Sequence, residues 1–368
     1  MLIDALYRLA RPALFQLAPE AAHRFACRAL AAAAPTPTAR ARWRRLLVPT
    51  DDRLAIERFG LRFAHPIGLA AGFDKDAAYP NAWAALGFAF AEFGTITPRP
   101  CAGQPRPRLF RLPIDEALLN RLGFPNPGAA AVAARLRAAE PRELVWAINV
   151  GKHPDTPVEG ALEDVLAVFE TLAPWADFFV LNVSSPNSPR LRQLQETARL
   201  RILLEGALAW LRTHPGPRGP VPLLVKIAPD LEDAALDDLA DLAVDLGVAG
   251  LVATNSTVDR GRLRSEAARS GALGEGGLSG RPLAPRAEAV LRRLYRRVGD
   301  RLPLVGVGGI FDAEDAWRRL RAGASLLELY TALVYRGPGV VGAILRGLQR
   351  RLDRSGAPSL AAVVGCDA

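Results

Sequence analysis

The chain has 368 residues, half of them apolar, and a formal net charge of +9 at pH 7. Such a length can bury a large core, in one barrel-sized domain or two smaller ones. Cys27, Cys101 and Cys366 form no CxxC pair, and His23, His65, His153 and His214 lack HExxH or paired spacing, so neither a disulfide framework nor a metal site is expected.

Residues 1–50 carry Arg8, Arg11, Arg24, Arg28, Arg40, Arg42, Arg44 and Arg45 against Asp4 and Glu20, interleaved with apolar residues such as Leu6, Leu9, Phe15, Leu17 and Phe25. That mixture suits peripheral contact with an anionic membrane. Nucleic-acid binding has only the net charge behind it, with no aromatic stacking platform. No run approaches the ~20 apolar residues that cross a bilayer, and the early charges break up any secretory signal. Residues 1–34 instead read as a helical extension. Leu2, Leu6, Leu9, Ala13 and Leu17 share one helix face, and a second helix runs from Pro19 through Ala22, Phe25, Ala26 and Leu30. Pro12 is expected to kink the first helix or end it early, and Ala18 is a poor N-cap for the second. Residues 35–50, with Pro35, Pro37 and Pro49, read as a linker.

A hairpin near residues 54–63 opens the body, residues 51–354. Eight buried-strand patterns follow: PIGLAAG, FAEFGTIT, LVWAINVG, FFVLNVSS, PLLVKIAP, GLVATNS, LPLVGVGG and SLLELYTA. Amphipathic segments such as 159–172, 232–246 and 312–322 alternate with them. The pattern predicts an α/β fold, a (β/α)8 TIM barrel, with an open doubly wound sheet as the alternative. Residues 355–368 read as a poorly ordered tail.

Arginine is the default cation here, and the lysines are Lys75, Lys152 and Lys226; asparagine is also scarce. These rare types gather where barrel chemistry gathers, at the C-terminal strand ends. Lys75 follows the first strand, Thr95 ends the second, Asn149 the third, Asn182 and Ser185 the fourth, and Thr254 with Asn255 the sixth. Lys226 lies within the fifth strand and points inward, where an anion or an electron-rich ring would relieve an unpaired ammonium. This set, without histidine or a carboxylate pair, makes a poor hydrolase but a good cradle for a polar, planar anion. Glycines and hydroxyls after strands seven and eight suit a phosphate. With no GxGxxG opening a βαβ unit, FMN fits better than a dinucleotide.

Taken in order, LAAGFDKD, FGTITPRP, PRPRLFRL, LLNRLGFPN, INVGK, LNVSSPN, VKIAPDL, ATNST, GGLSGRPL, GVGGI and LYTAL resemble the dihydroorotate dehydrogenase family, from about residue 65 to 333. ALFQLAPEAAHRF resembles the N-terminal extension of its quinone-linked, membrane-associated class 2, which the cytosolic class lacks. The resemblance implies an FMN enzyme that oxidises dihydroorotate to orotate in de novo pyrimidine (UMP) biosynthesis, with a membrane quinone as final oxidant. It also implies a peripheral protein on the cytoplasmic side of the inner membrane.

Carried over by position, the resemblance implies that FMN meets Ala71, Gly72, Phe73, Asp74, Lys75, Thr95, Asn149, Asn182, Lys226, Thr254, Gly280, Gly309, Tyr330 and Thr331. Dihydroorotate would be held by Lys75, Asn120, Arg121, Leu122, Gly123, Phe124, Asn182, Asn187, Asn255 and Ser256. Ser185 would be the catalytic base, where the cytosolic class has Cys, and His23 and Arg111 would contact quinone. The chain departs from the family pattern at Ala18 for a capping Asp, Gln104 for Asn, Arg190 for Gly, and Gly274-Glu275 in the loop before GGLSG. Two other readings remain: another FMN barrel, which would show Cys in place of Ser185 and no extension, and a non-catalytic membrane-surface FMN or nucleotide binder.

Overall fold

The computed structural model describes residues 2–188 and 190–368. Met1, Pro189 and the side chain of Leu2, which the sequence sets on the first helix's apolar face, lie outside the described residues. Eight strands form a closed barrel: β1 (Ile67–Leu69), β2 (Phe90–Ile96), β3 (Val145–Val150), β4 (Phe178–Asn182), β5 (Leu223–Ile227), β6 (Gly250–Ala253), β7 (Leu304–Val307) and β8 (Ala324–Leu329). Each pairs in parallel with the next, and β8 returns to β1, with Glu328 opposite Gly68. Helices cover the outside, as a parallel sheet buried on both faces requires. Helix Ala284–Val298 turns Ala287, Val290, Leu291, Leu294 and Val298 onto the barrel, the 3–4 spacing of a one-sided apolar stripe. Its outer face exchanges ion pairs with helix Asp233–Leu246, Arg293 with Asp237 and Arg297 with Asp241.

The N-terminal region holds three helices: α1 (Leu2–Gln16), α2 (Pro19–Ala33) and α3 (Pro37–Leu47). α1 runs through Pro12 rather than ending there. Tyr7 Oη donates to the Val334 carbonyl at 2.6 Å and Arg11 to that of Tyr335 at 2.8 Å, which ties α1 to the helix Thr331–Arg336. α2 starts without a side-chain cap at Ala18, as its sequence predicts.

Two expectations are corrected. The stretch read as a linker contains α3, because Pro37 sits in the first turn, where its missing N–H costs nothing, and Thr36 Oγ1 caps the Ala39 N–H at 3.2 Å. The tail is packed, not loose. Leu360 is fully buried and its N–H reaches the Arg53 carbonyl, while the Gly365 N–H reaches that of Leu320.

A small antiparallel sheet of Leu109–Leu112, Ala117–Asn120 and Gly277–Gly280 stands apart from the barrel. It pairs Asn120 with Gly277 and Ala117 with Gly280. Gly280 has φ +100°, and a Cβ there would collide with the Glu116 carbonyl, so only glycine lets these strands meet.

Candidate active site

The C-terminal strand ends and the small sheet line a cavity that opens to solvent. It gathers residues that stand far apart in sequence: Lys75 after β1, Thr95 in β2, Asn182 and Ser185 at and after β4, Lys226 in β5, and Thr254, Asn255 and Ser256 after β6. Ala71, Gly72, Gly280, Gly309, Tyr330 and Thr331 line it too, as do Asn120, Leu122, Gly123, Phe124 and Asn187.

Four of the residues expected at FMN or substrate do not line the cavity. Phe73 packs its ring against Trp83 and Tyr330, at centroid distances of 5.4 and 5.2 Å. Asp74 is buried and accepts from Ala78 N, Tyr79 N and Trp83 Nε1 at 2.8, 3.1 and 2.9 Å, which fixes the turn that carries Lys75. Asn149 lies within the barrel beside Glu92. Arg121 points away, donating to the carbonyls of Leu273 and Pro107 and lying over the Phe110 ring.

The amides are oriented by one another. Asn187 Nδ2 donates to Asn120 Oδ1 at 2.9 Å, and Asn120 Nδ2 donates to the Gly277 carbonyl at 3.0 Å. Asn182 Nδ2 reaches Thr95 Oγ1 at 2.8 Å, and Asn255 Nδ2 reaches Ser184 Oγ at 3.0 Å. Ser185 is buried, and its Oγ accepts the Asn187 N–H at 3.3 Å, a contact that favours negative character on the oxygen. Lys75 Nζ bonds the Gly72 carbonyl at 2.5 Å. Burial draws its ammonium down to about 8, partly offset by the charge of Asp76.

Lys226 needs no external anion to explain its burial, contrary to the expectation. It bonds Glu92 Oε2 at 2.7 Å and Glu328 Oε2 at 3.2 Å. The site therefore contains the carboxylate pair that the sequence reading denied it. Glu92 and Glu328 were legible only as acids in the middle of the apolar strands FAEFG and LLELY. Ser279 was also missed; it lines the cavity and its Oγ lies 2.8 Å from Thr331 Oγ1.

The donor set fits a phosphate-bearing planar ring. Gly280, Gly308, Gly309 and the start of the helix at Thr331 supply a small-residue wall where backbone N–H groups would be open to a phosphate. Asn149 Nδ2 is taken by Glu92, while its buried Oδ1 has no partner among the described residues and is an acceptor suited to a ring N–H.

His23 and Arg111 lie off this cavity. The His23 ring stands 4.9 Å from that of Phe73, which touches Tyr330 on the cavity wall. Burial, then the charge of Lys75, lowers His23 to about 4 and keeps it neutral. Arg111 closes the end of α1, donating to the carbonyls of Leu14 and Leu17 with its guanidinium 4.7 Å over Phe15.

The family profile described as Dihydroorotate dehydrogenase matches residues 53–352. The chain is 50% identical to "Dihydroorotate dehydrogenase (quinone)" of Mycobacterium ulcerans over 99% of its length and 98% of the relative's. It is also 50% identical to the protein of that name from Mycobacterium tuberculosis, over 98% of each chain. Among solved structures it resembles DHODH from Eimeria tenella in complex with ferulenol, with TM-score 0.81 and 36% identity over 90% of this chain and 96% of that one. Profile, near-full-length identity and barrel agree: the chain belongs to the dihydroorotate dehydrogenase family.

Proposed function

We propose that this chain oxidises dihydroorotate to orotate in pyrimidine biosynthesis, with FMN as hydride acceptor and a membrane quinone as final oxidant. The observation that carries the reading is the meeting of Lys75, Ser185, Asn255 and Lys226 on one cavity. Bound FMN supplies the two-electron acceptor. Gly309 and Thr331 would receive its phosphate, while Asn149, Lys226 and Thr95 would lie against its ring.

The chain's own groups hold and deprotonate the substrate. Lys75 meets the dihydroorotate carboxylate, and Asn120, Asn182, Asn187 and Asn255 donate to and accept from the pyrimidine imides. Ser185 takes the C5 proton as it gives up its own hydroxyl proton to a hydrogen-bond relay that ends in solvent. A hydroxyl is a weak base, so the burial of Ser185 and the Asn187 N–H on its oxygen matter: both hold it in place, and the N–H stabilises charge that develops on Oγ.

The N-terminal helices are the proposed quinone route and membrane contact. No described helix is long and apolar enough to cross a membrane. Leu6 and Leu9 on α1, Leu17 in the turn after it and Phe25 on α2 are exposed, beside exposed Arg8, Arg24 and Arg28, the character of an interfacial amphipathic surface; the proposed position of that surface is the cytoplasmic side of the inner membrane. The chain of rings from His23 through Phe73 to Tyr330 leads from α2 to the cavity wall. Steady-state orotate formation tests this reading: turnover with a ubiquinone analogue and none with fumarate or NAD supports it, and the reverse preference refutes it.

A further inference from the structure

Lys226, Glu92 and Glu328 form a cluster inside the barrel that the proposed reaction does not employ as acid or base. Lys226 donates to both carboxyls, whose side chains are 0% and 1% exposed. The two carboxyls thus share one ammonium, at 2.7 and 3.2 Å. Two carboxylate anions are acceptors only and would repel so close together, whereas an O–H on one of them can donate to the other. One ammonium against two buried anions would also leave net negative charge in a low-dielectric interior, and one retained proton removes that cost.

The other contacts locate the proton. Glu92 accepts from Asn149 Nδ2 on one oxygen, and from Lys226 and the Ala71 N–H, at 3.4 Å, on the other. Donors on both oxygens are what an anion requires. Glu328, among the described residues, accepts from Lys226 alone, by the longer bond. Burial and then the charge of Glu92 raise Glu328 well above the usual carboxylate range. Burial would raise Glu92 as well, but the Lys226 charge and the bonds from Glu328, Lys226 and Asn149 hold it below that range. The flanking segments Ile67–Leu69 and Leu304–Val307 carry no ionisable side chain, so Glu92 and Lys226 are the charged groups that face Glu328.

We propose that Glu328 is a positioning residue that keeps its proton, donates it to Glu92, and so fixes the Lys226 ammonium between two acceptors with its third N–H free for the cavity. Resting on the flavin reading above, this gives the ring one directed N–H from a net-neutral cluster. Loss of the Glu328 proton at high pH adds a second anion beside Lys226 and weakens its support for negative charge in the cavity.

Two measurements on the full-length protein test the assignment. Infrared spectra, with and without flavin, should contain the carbonyl band of a protonated buried carboxyl, shifted in deuterium oxide and absent from Glu328→Gln. The rate of flavin reduction by dihydroorotate should fall along an alkaline limb that Glu328→Gln lacks. Glu328→Ala should be slower by about tenfold, the worth of a hydrogen bond to a charged group, and Glu328→Gln should recover most of that loss. A band that persists in Glu328→Gln, or an alkaline limb shared by both proteins, overturns the proposal. A wild-type protein that shows the Glu328 band but is not reduced by dihydroorotate would sink the proposed substrate and leave the proton assignment standing.

Discussion

Glu20, in the first turn of α2, holds Arg108 on the body of the protein through a 3.0 Å ion pair. Arg108 is itself buried and donates to the carbonyls of Ala102 and Gln104 at 2.8 and 2.9 Å, and the Gln104 N–H bonds the carbonyl of Leu122, a cavity residue. Burial would raise the Glu20 carboxyl, but the bond and charge of Arg108 with the charge of Arg106 outweigh it and keep the group ionised. One short path thus joins the helical extension to the loop that lines the cavity. Glu20→Ala should destabilise the extension by about 1–3 kcal/mol, the cost of a charge-assisted bond whose partner stays buried. Hydrogen exchange checks this, since residues 2–33 should lose protection before the barrel strands do; uniform loss would refute the coupling.

Ser185→Ala should still bind orotate, because the amides and Lys75 remain. Flavin reduction by dihydroorotate should slow by about 10²–10⁴-fold, the usual contribution of a positioned base. Rapid-mixing absorbance reads the rate directly, and an unchanged rate removes Ser185 from its role.

Lys75 sets a pH limit on binding. Its ammonium, lowered to about 8, is charged below that pH and neutral above it. Affinity for the orotate anion should be flat below about pH 8 and then fall about tenfold per pH unit, as linkage to one proton requires. Fluorescence titration of orotate from about pH 6 to about pH 10 measures this. Lys75→Gln should bind weakly at every pH, without the inflection.

The exposed apolar side chains of the extension should govern membrane contact. Leu9→Glu and Phe25→Glu should each reduce binding to anionic vesicles by about tenfold or more, given the transfer free energy of one large apolar side chain. Sedimentation with vesicles measures the effect, and unchanged partitioning would move the contact elsewhere.

The barrel was legible because strands buried on both faces read as unbroken apolar runs closed by Gly or Pro. Among the rare lysines and asparagines of an arginine-rich chain, Lys75, Lys226, Asn120, Asn182, Asn187 and Asn255 mark the cavity, while Lys152, Asn81, Asn126 and Asn149 lie off it. What stayed hidden depends on distant partners. Glu92 and Lys226 are 134 positions apart, so an acid inside FAEFG gives no sign that it meets an ammonium. The strand Gly277–Gly280 is four residues long and pairs with Ala117–Asn120 far upstream, too short for periodicity to register. Around residues 35–50, proline reads as a breaker but Pro37 starts a helix, and Leu360 is ordered by Arg53 at the other end of the chain.

Anaerobic stopped-flow on the purified flavoprotein is the most direct trial. Dihydroorotate should bleach the flavin absorbance, and a ubiquinone analogue added afterwards should restore it faster than fumarate or NAD. A flavin left oxidised by dihydroorotate, or one restored equally well by all three acceptors, would contradict the account.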